Sequence, residues 1–151
     1  MKSRATVSLF ALTLFFALAV TSVHAQLSER LVVDVPFAFT IGDTQFSAGE
    51  YSVTKANESS TVLMIRDGNG RNGIMFTTNP GNGKAGRTEQ AKMVFNKYGD
   101  QYFLSSVHRP GGIVRTLKQS RRERNVEKEM AAINRAATPQ SVAVLVRRQG
   151  L

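Results

Sequence analysis

Apolar and polar residues alternate along residues 33–41, which read VDVPFAFTI. Successive side chains of a strand point to opposite faces, so this period of two predicts a strand with one buried face. Pro36 cannot donate a ladder hydrogen bond, and we therefore expect the strand to lie at a sheet edge or to be interrupted near that residue. The inward side chains of this pattern are Val33, Val35, Phe37, Phe39 and Ile41.

More short β-favouring runs follow, separated by turn residues. Gly42 and Asp43 are predicted to turn the chain, so that AGEYSV forms the second half of a hairpin-like unit with Tyr51 and Val53 inward. Further along the chain, RPGG at 109–112 is predicted to break the sheet, and IVRTL at 113–117 to form a short extended piece. The remaining strands are predicted at 61–67, 73–78, 91–96 and 101–107, the last two flanking a YGD turn.

The periodicity changes after residue 119. Ser120 and Glu123 form a capping box, which predicts the start of a helix over about residues 120–137. Its apolar stripe consists of Val126, Met130, Ile133 and Ala137. Thr138 and Pro139 end the helix, and residues 141–146, SVAVLV, predict a final strand that is buried on both faces or at least paired within the sheet.

Together these elements predict a mainly β domain. We expect a small antiparallel β-barrel or sandwich of about seven strands, with one C-terminal amphipathic helix laid across an open side. A transmembrane barrel is the competing fold. It needs strands of about 9 to 11 residues, and runs such as GIMFTT are shorter.

The first 25 residues have the features of a signal peptide. Lys2 and Arg4 precede an apolar stretch from Ala5 to Val20, and a small-residue cleavage site ends at Ala25. The apolar stretch is shorter than the ~20 residues of a spanning helix, which favours cleavage over an uncleaved anchor. We expect an exported protein, periplasmic or extracellular, whose single domain covers 26–151 and has no membrane span after cleavage. The sequence has no cysteine, which excludes disulfides and thiolate metal ligands.

Two glycine motifs resemble dinucleotide-binding loops: GNGRNG at 68–73 and GNGKAG at 81–86. Each leads into a strand pattern, whereas a phosphate-binding loop must open a helix. We therefore interpret Gly68, Gly70 and Gly73 as turn residues that supply positive φ. A calcium loop beginning at Asp67 also fails, because Thr78 occupies the position of the bidentate glutamate.

Candidate catalytic residues do not form a recognisable set. Ser106 lies two positions before His108, and side chains at that spacing on a strand are expected to diverge. No nucleophile-elbow motif is present, and we predict no catalytic, cofactor or metal site. The helix carboxylates are interpreted as its solvated side; they are Glu123, Glu127 and Glu129. The aspartates are placed at outward strand or turn positions; they are Asp34, Asp43, Asp67 and Asp100.

Basic residues are the feature with the clearest functional content. The net charge is +9, and it is +7 without Lys2 and Arg4, since eighteen Lys and Arg then face eleven Asp and Glu. A helix with a buried Val126 side places Arg122 near its boundary with solvent. The predicted polyanion-binding residues are Arg121, Arg124 and Lys128, extended by Arg147 and Arg148 if the last strand ends beside the helix. The alternative is an ordinary charged helix face.

The candidate partners are an acidic polysaccharide, lipid headgroups or another envelope protein, because a basic surface binds polyanions by charge neutralisation. Aromatic residues do not interleave with the basic ones, so specific nucleic-acid binding is not expected.

The segments VDVPFAFTIGDTQFSAGEYSV and YGDQYFLSSVHRPGG, with the charged SRRERNVEKEMA helix, resemble a family of small exported bacterial β-rich proteins. The family has V-P-F-x-F-x-x-G and P-A-G-x-Y-x-V segments and no assigned activity. This chain has Ser47 where the family often places proline. The resemblance implies an architecture and an exported location, and it implies no catalytic residues.

The function predicted from the sequence is that of a non-catalytic exported domain, with a structural or binding role in the cell envelope or outside the cell. One alternative is a polyanion-binding protein that uses the basic helix face. Another is a hydrolase whose two carboxylates meet in space, which would require a deep pocket holding both.

Overall fold

The computed structural model describes residues 30–56, 61–82, 90–133 and 139–147. The predicted signal peptide, the end of the predicted helix and most of GNGKAG lie outside these ranges. The described part of the chain is mainly β, with one α-helix near its C-terminal end, and confirms the predicted fold class. The strands are β1 (Leu31–Val35), β2 (Phe39–Ile41), β3 (Thr44–Phe46), β4 (Gly49–Lys55), β5 (Val62–Asp67), β6 (Gly73–Thr77), β7 (Asn79–Pro80), β8 (Lys92–Tyr98), β9 (Gln101–Arg109), β10 (Ile113–Thr116) and β11 (Gln140–Leu145); the helix is α1 (Arg121–Ile133).

The strand predicted over 33–41 is interrupted at Pro36, as its missing donor requires. Its two halves enter different sheets. β1 pairs with β4, while β2 folds back on β3 through Gly42, whose φ is 61°. β4 therefore completes a hairpin with β1, and the small β2–β3 hairpin is inserted between them. Tyr51 and Val53 are buried, as expected.

The strands form two antiparallel ladders. The first has the order β1-β4-β5-β6, and the second has the order β11-β8-β9-β10-β7. β2 joins the second ladder by a parallel pairing of Thr40 with Phe103 on β9. The β8–β9 hairpin turns at Gly99, with φ 58°, and a register shift lies between Val94 and Phe95.

Two seams join the ladders into a barrel-like ring. At one seam Val33 of β1 pairs with Val146 just after β11, and the Arg147 amide donates to the Val32 carbonyl at 2.9 Å. At the other, the chain passes directly from β6 in the first ladder to β7 in the second through the buried Thr78. Both sheets therefore enclose one interior.

The interior is filled by apolar side chains from both sheets. Val33 and Ile65 come from the first sheet, and Met93, Phe95 and Val107 come from the second. All five are fully buried. Burial of apolar surface in one shared core provides the main stabilisation of such a domain.

α1 lies outside the ring, against β8 and β9. Val126 is buried with Tyr98 and Phe103, and Met130 packs beside them. Ile133 was expected to continue this buried stripe, but it is 79% exposed because the helix has passed the packed part of the sheet. Ala137 lies outside the described residues.

One further expectation is corrected, and another is confirmed only in its weaker form. Of the glycines in GNGRNG, Gly70 has a positive φ of 70°, whereas Gly68 and Gly73 do not. β11 is paired with β8 along its length, but it is not buried on both faces: its outward side chains are open, and Leu145 is 57% exposed. The terminal strand is thus half-buried, with Val144 packed against the core.

Candidate functional site

The N-terminal half of α1 is fixed to the sheet by a buried carboxylate. Ser120 caps the helix, its hydroxyl accepting a hydrogen bond from the Glu123 amide at 3.0 Å. The Glu123 side chain was expected in solvent, but it is only 4% exposed. Its Oε1 accepts from the side-chain amide of Asn96 at 2.8 Å and from the Tyr98 hydroxyl at 3.3 Å. The carboxylate therefore joins the helix to β8.

Gln119 extends this hydrogen-bond network. Its side-chain amide donates to the Tyr98 hydroxyl and to Glu127 Oε2, each at 3.2 Å. Burial raises the pKa of Tyr98 to about 12, and the nearby negative charge of Glu123 adds to the shift. Two of the three helix carboxylates are thus engaged on the sheet side of α1, and Glu129 is exposed.

The basic side chains of α1 are distributed differently. Arg121, Arg122 and Lys128 are exposed, and we call these three residues the cationic face. Arg122 was expected near the boundary between the buried and exposed sides of the helix, and it is instead exposed to solvent. Arg124 was expected on the outer half, but it is half-buried and donates to the Gln119 carbonyl at 2.7 Å. Arg124 therefore supports the start of the helix and is less available to a ligand.

Arginines in the first turn of a helix oppose the helix dipole. Cations are favoured near a C-terminus and anions near an N-terminus, by about 0.3–1 kcal/mol each at exposed positions. Arg121 and Arg122 are the first two residues of α1. Glu123 offsets part of this cost from the buried side. The helix dipole therefore does not favour Arg121 and Arg122 at this position.

Arg147 lies apart from the cationic face. β11 runs antiparallel to β8, with Gln140 opposite Lys97 and Leu145 opposite Lys92. The chain thus leaves β11 at the end of β8 remote from Tyr98, where α1 is anchored. The Arg147 guanidinium there bonds Glu50 at 3.1 Å and lies 4.0 Å from Asp34. Arg148 lies outside the described residues.

Ser106 and His108 are closer than strand geometry predicted. Their side chains form a hydrogen bond of 3.2 Å between Ser106 Oγ and His108 Nε2, so the expectation that they diverge was wrong. Ser106 is buried. A serine nucleophile must be reachable by its substrate, so this pair is better suited to fixing β9 than to acyl transfer.

Within the described ranges, no three or more His, Cys, Asp or Glu side chains are grouped so that they could hold a metal ion. Asp34 and Glu50 are direct cross-strand partners, yet both are exposed, and Arg147 bridges them. Asp67 closes the β5–β6 turn: its carboxylate accepts from the Arg71 amide and the Asn72 side chain, each at 2.9 Å. These hydrogen bonds lower the pKa of Asp67 and outweigh the opposing effect of desolvation, which is the largest single contribution.

Within the part of the chain that the structure describes, no helix has the length and apolar character needed to cross a membrane. Comparison with protein-family models, with curated proteins and with solved structures yields no match for this chain.

Proposed function

We propose that this protein is a non-catalytic exported domain that binds an acidic polymer through the cationic face of α1. The observation that carries the proposal is the separation of charge across the helix. Glu123 is buried and hydrogen-bonded to the sheet, while Arg121, Arg122 and Lys128 point into solvent. The side of α1 that a partner meets is therefore predominantly positive.

A rigid support makes this surface suited to binding. The Glu123 network, the Ser120 cap and the buried Val126 side chain fix the helix on β8. A polyanion then binds cations whose backbone is already ordered, which lowers the entropy cost of association. The exported location, and membership of the family that the sequence resembles, are parts of the same proposal and rest on the N-terminal pattern and the V-P-F-x-F-x-x-G and A-G-x-Y-x-V segments.

The test measures heparin affinity by isothermal titration calorimetry over a range of salt concentrations. We expect binding at low salt that weakens as salt rises, because exposed charges act through a screened field. The variant Arg121→Gln/Arg122→Gln/Lys128→Gln should weaken binding about a hundredfold, since each cation near an anionic surface contributes about 1 kcal/mol.

The matched control is Arg30→Gln/Arg66→Gln/Arg71→Gln, which removes three exposed positive charges away from α1. This control should keep most of the affinity. Equal losses in both triple variants would mean that heparin responds to net charge alone, and the proposal would be wrong. Undetectable heparin binding at low salt would also refute it.

A further inference from the structure

A groove outside α1 has a different chemical character. It lies on the outer face of the β5–β6 hairpin and has a volume of about 360 Å³. The lining residues are Met64, Arg66, Gly70, Arg71, Gly73, Ile74 and Met75. This volume falls at the lower end of the range for small-molecule sites, about 300–1,000 Å³.

The strand register explains the shape of the groove. Met64 pairs with Met75, and Arg66 pairs with Gly73. Residues two apart on a strand share a face, so these four positions form one square on the outside of the sheet. Gly73 contributes no side chain to its corner, and the Arg66 side chain packs across it, since a Cβ on Gly73 would lie 2.8 Å from Arg66 Cγ.

The apolar part of the groove is open to solvent. Met75 is 63% exposed, and Met64 is half-buried beside it. Methionine is unbranched and flexible, and its thioether adapts to hydrocarbon ligands of varied shape. An exposed pair of methionines therefore offers contact to an alkyl chain.

The polar part consists of two guanidinium groups. Arg66 and Arg71 are both exposed, and neither forms an ion pair with a carboxylate of the described residues. Asp67, which follows Arg66 in the sequence, is engaged with the Arg71 backbone amide and the Asn72 side chain within the turn. Arginine matches a carboxylate with two parallel hydrogen bonds.

We infer that this groove binds a single-chain anionic amphiphile: a carboxylate, held by Arg66 and Arg71, that carries an unbranched hydrocarbon chain lying on Met64 and Met75. This site is separate from the cationic face and binds a ligand of another class. A soluble acidic polymer has no hydrocarbon chain to pack on the methionines, and a neutral hydrocarbon has no charge to pair with the arginines.

The experiment uses the full mature chain with ¹³C-methyl methionine and follows the methyl resonances while decanoate is added below its micelle concentration. Met64 and Met75 should shift together. Met93, which is fully buried in the core, and Met130, which lies beneath α1, should not. Acetate, which lacks the chain, and decyl maltoside, which lacks the charge, are the matched probes and should bind at least about tenfold more weakly.

The variant Arg66→Gln/Arg71→Gln should lose about tenfold or more of the decanoate affinity. Arg121→Gln/Arg122→Gln, which removes the same charge from the cationic face, should keep it. Equal binding of decyl maltoside, unchanged affinity in Arg66→Gln/Arg71→Gln, or shifts that include Met93 would overturn the inference. So would binding confined to phosphatidylglycerol vesicles with no response to monomeric decanoate, which would indicate a bilayer surface as the partner. Failure of this test leaves heparin binding at α1 unaffected, since the two sites share no residue.

Discussion

Glu123 shows how one residue can serve two elements. It occupies the third position of α1, where a negative charge favours the helix, and its carboxylate accepts two hydrogen bonds from β8. The sequence pattern placed Glu123 in a capping box with Ser120, of which the structure shows the Ser120 half, but it placed the Glu123 side chain in solvent. Its spacing carried the missed signal, since Glu123, Val126 and Met130 recur at intervals of three and four on one helical face.

Replacing Glu123 by alanine should lower the free energy of unfolding by about 1–3 kcal/mol. The Asn96 amide and the Tyr98 hydroxyl would lose their acceptor while remaining largely buried. Urea denaturation followed by circular dichroism measures this loss. The control Glu129→Ala removes an exposed carboxylate from the same helix and should change stability by less than about 0.5 kcal/mol. Equal effects in both variants would show that Glu123 is not the anchor.

The raised pKa of Tyr98 leads us to expect a lower free energy of unfolding in alkaline solution. Its pKa is about 12 in the folded protein, against 10.0 for an unperturbed tyrosine. Below pH 10 the hydroxyl is protonated in both states, and its contribution to stability is complete. Between pH 10 and 12 the unfolded chain loses the proton first, so stability falls as pH rises.

The measurement compares denaturation midpoints of the parent protein and Tyr98→Phe from pH 9 to pH 12. The parent should lose stability more steeply than the variant over about pH 10–12. Burial also raises the pKa of Tyr51, but that residue is present in both proteins and cancels in the comparison. Parallel pH profiles would contradict the assignment to Tyr98.

Among the elements, hairpins and interruptions were the most predictable features. Pro36 divides β1 from β2, and the β8–β9 and β5–β6 hairpins lie where short apolar, β-favouring runs flank turn residues. The individual roles of the glycines were less predictable. Positive φ in the β5–β6 turn is supplied by Gly70, whereas Gly73 is required by close packing that no local pattern reveals.

Gly73→Ala should destabilise the β5–β6 hairpin. A Cβ at this position would lie 2.5 Å from the Ile65 carbonyl oxygen and 2.8 Å from Arg66 Cγ, so the ladder would have to shift. We expect a loss of about 1–3 kcal/mol, typical of overpacking. Gly68→Ala is the matched control in the same turn, because its nearest contact, with Glu50, would be an ordinary 3.5 Å. Chemical denaturation of the two variants should separate them, and similar losses would count against the packing explanation.

For the whole molecule, the mainly β class with a C-terminal helix followed from periodicity, but closure of the ring did not. It depends on the pairing of Val33 with Val146 and on the passage of the chain between sheets at Thr78. Such contacts join residues far apart in sequence, and the order of strands in a sheet leaves no local periodicity. The same limit applies to the candidate site: the pattern located the basic helix, but tertiary packing decided that Arg124 supports the fold while Arg122 is exposed.

A substitution at Thr78 can test whether the two sheets unfold as one unit. It is fully buried at the crossing, and both its amide, at 2.8 Å, and its hydroxyl, at 2.6 Å, donate to the Thr61 carbonyl. Thr78→Val keeps the shape and removes one hydrogen bond, so we expect a loss of about 1 kcal/mol. Ile65 and Val107 belong to different sheets but to one core. Native-state hydrogen exchange should therefore show the same decrease in the free energy of opening, and so equally faster exchange, at both amides. The control Thr77→Val alters an exposed neighbour and should leave both unchanged. Faster exchange at Ile65 alone would mean that the sheets open independently, and the ring would not be a single cooperative unit.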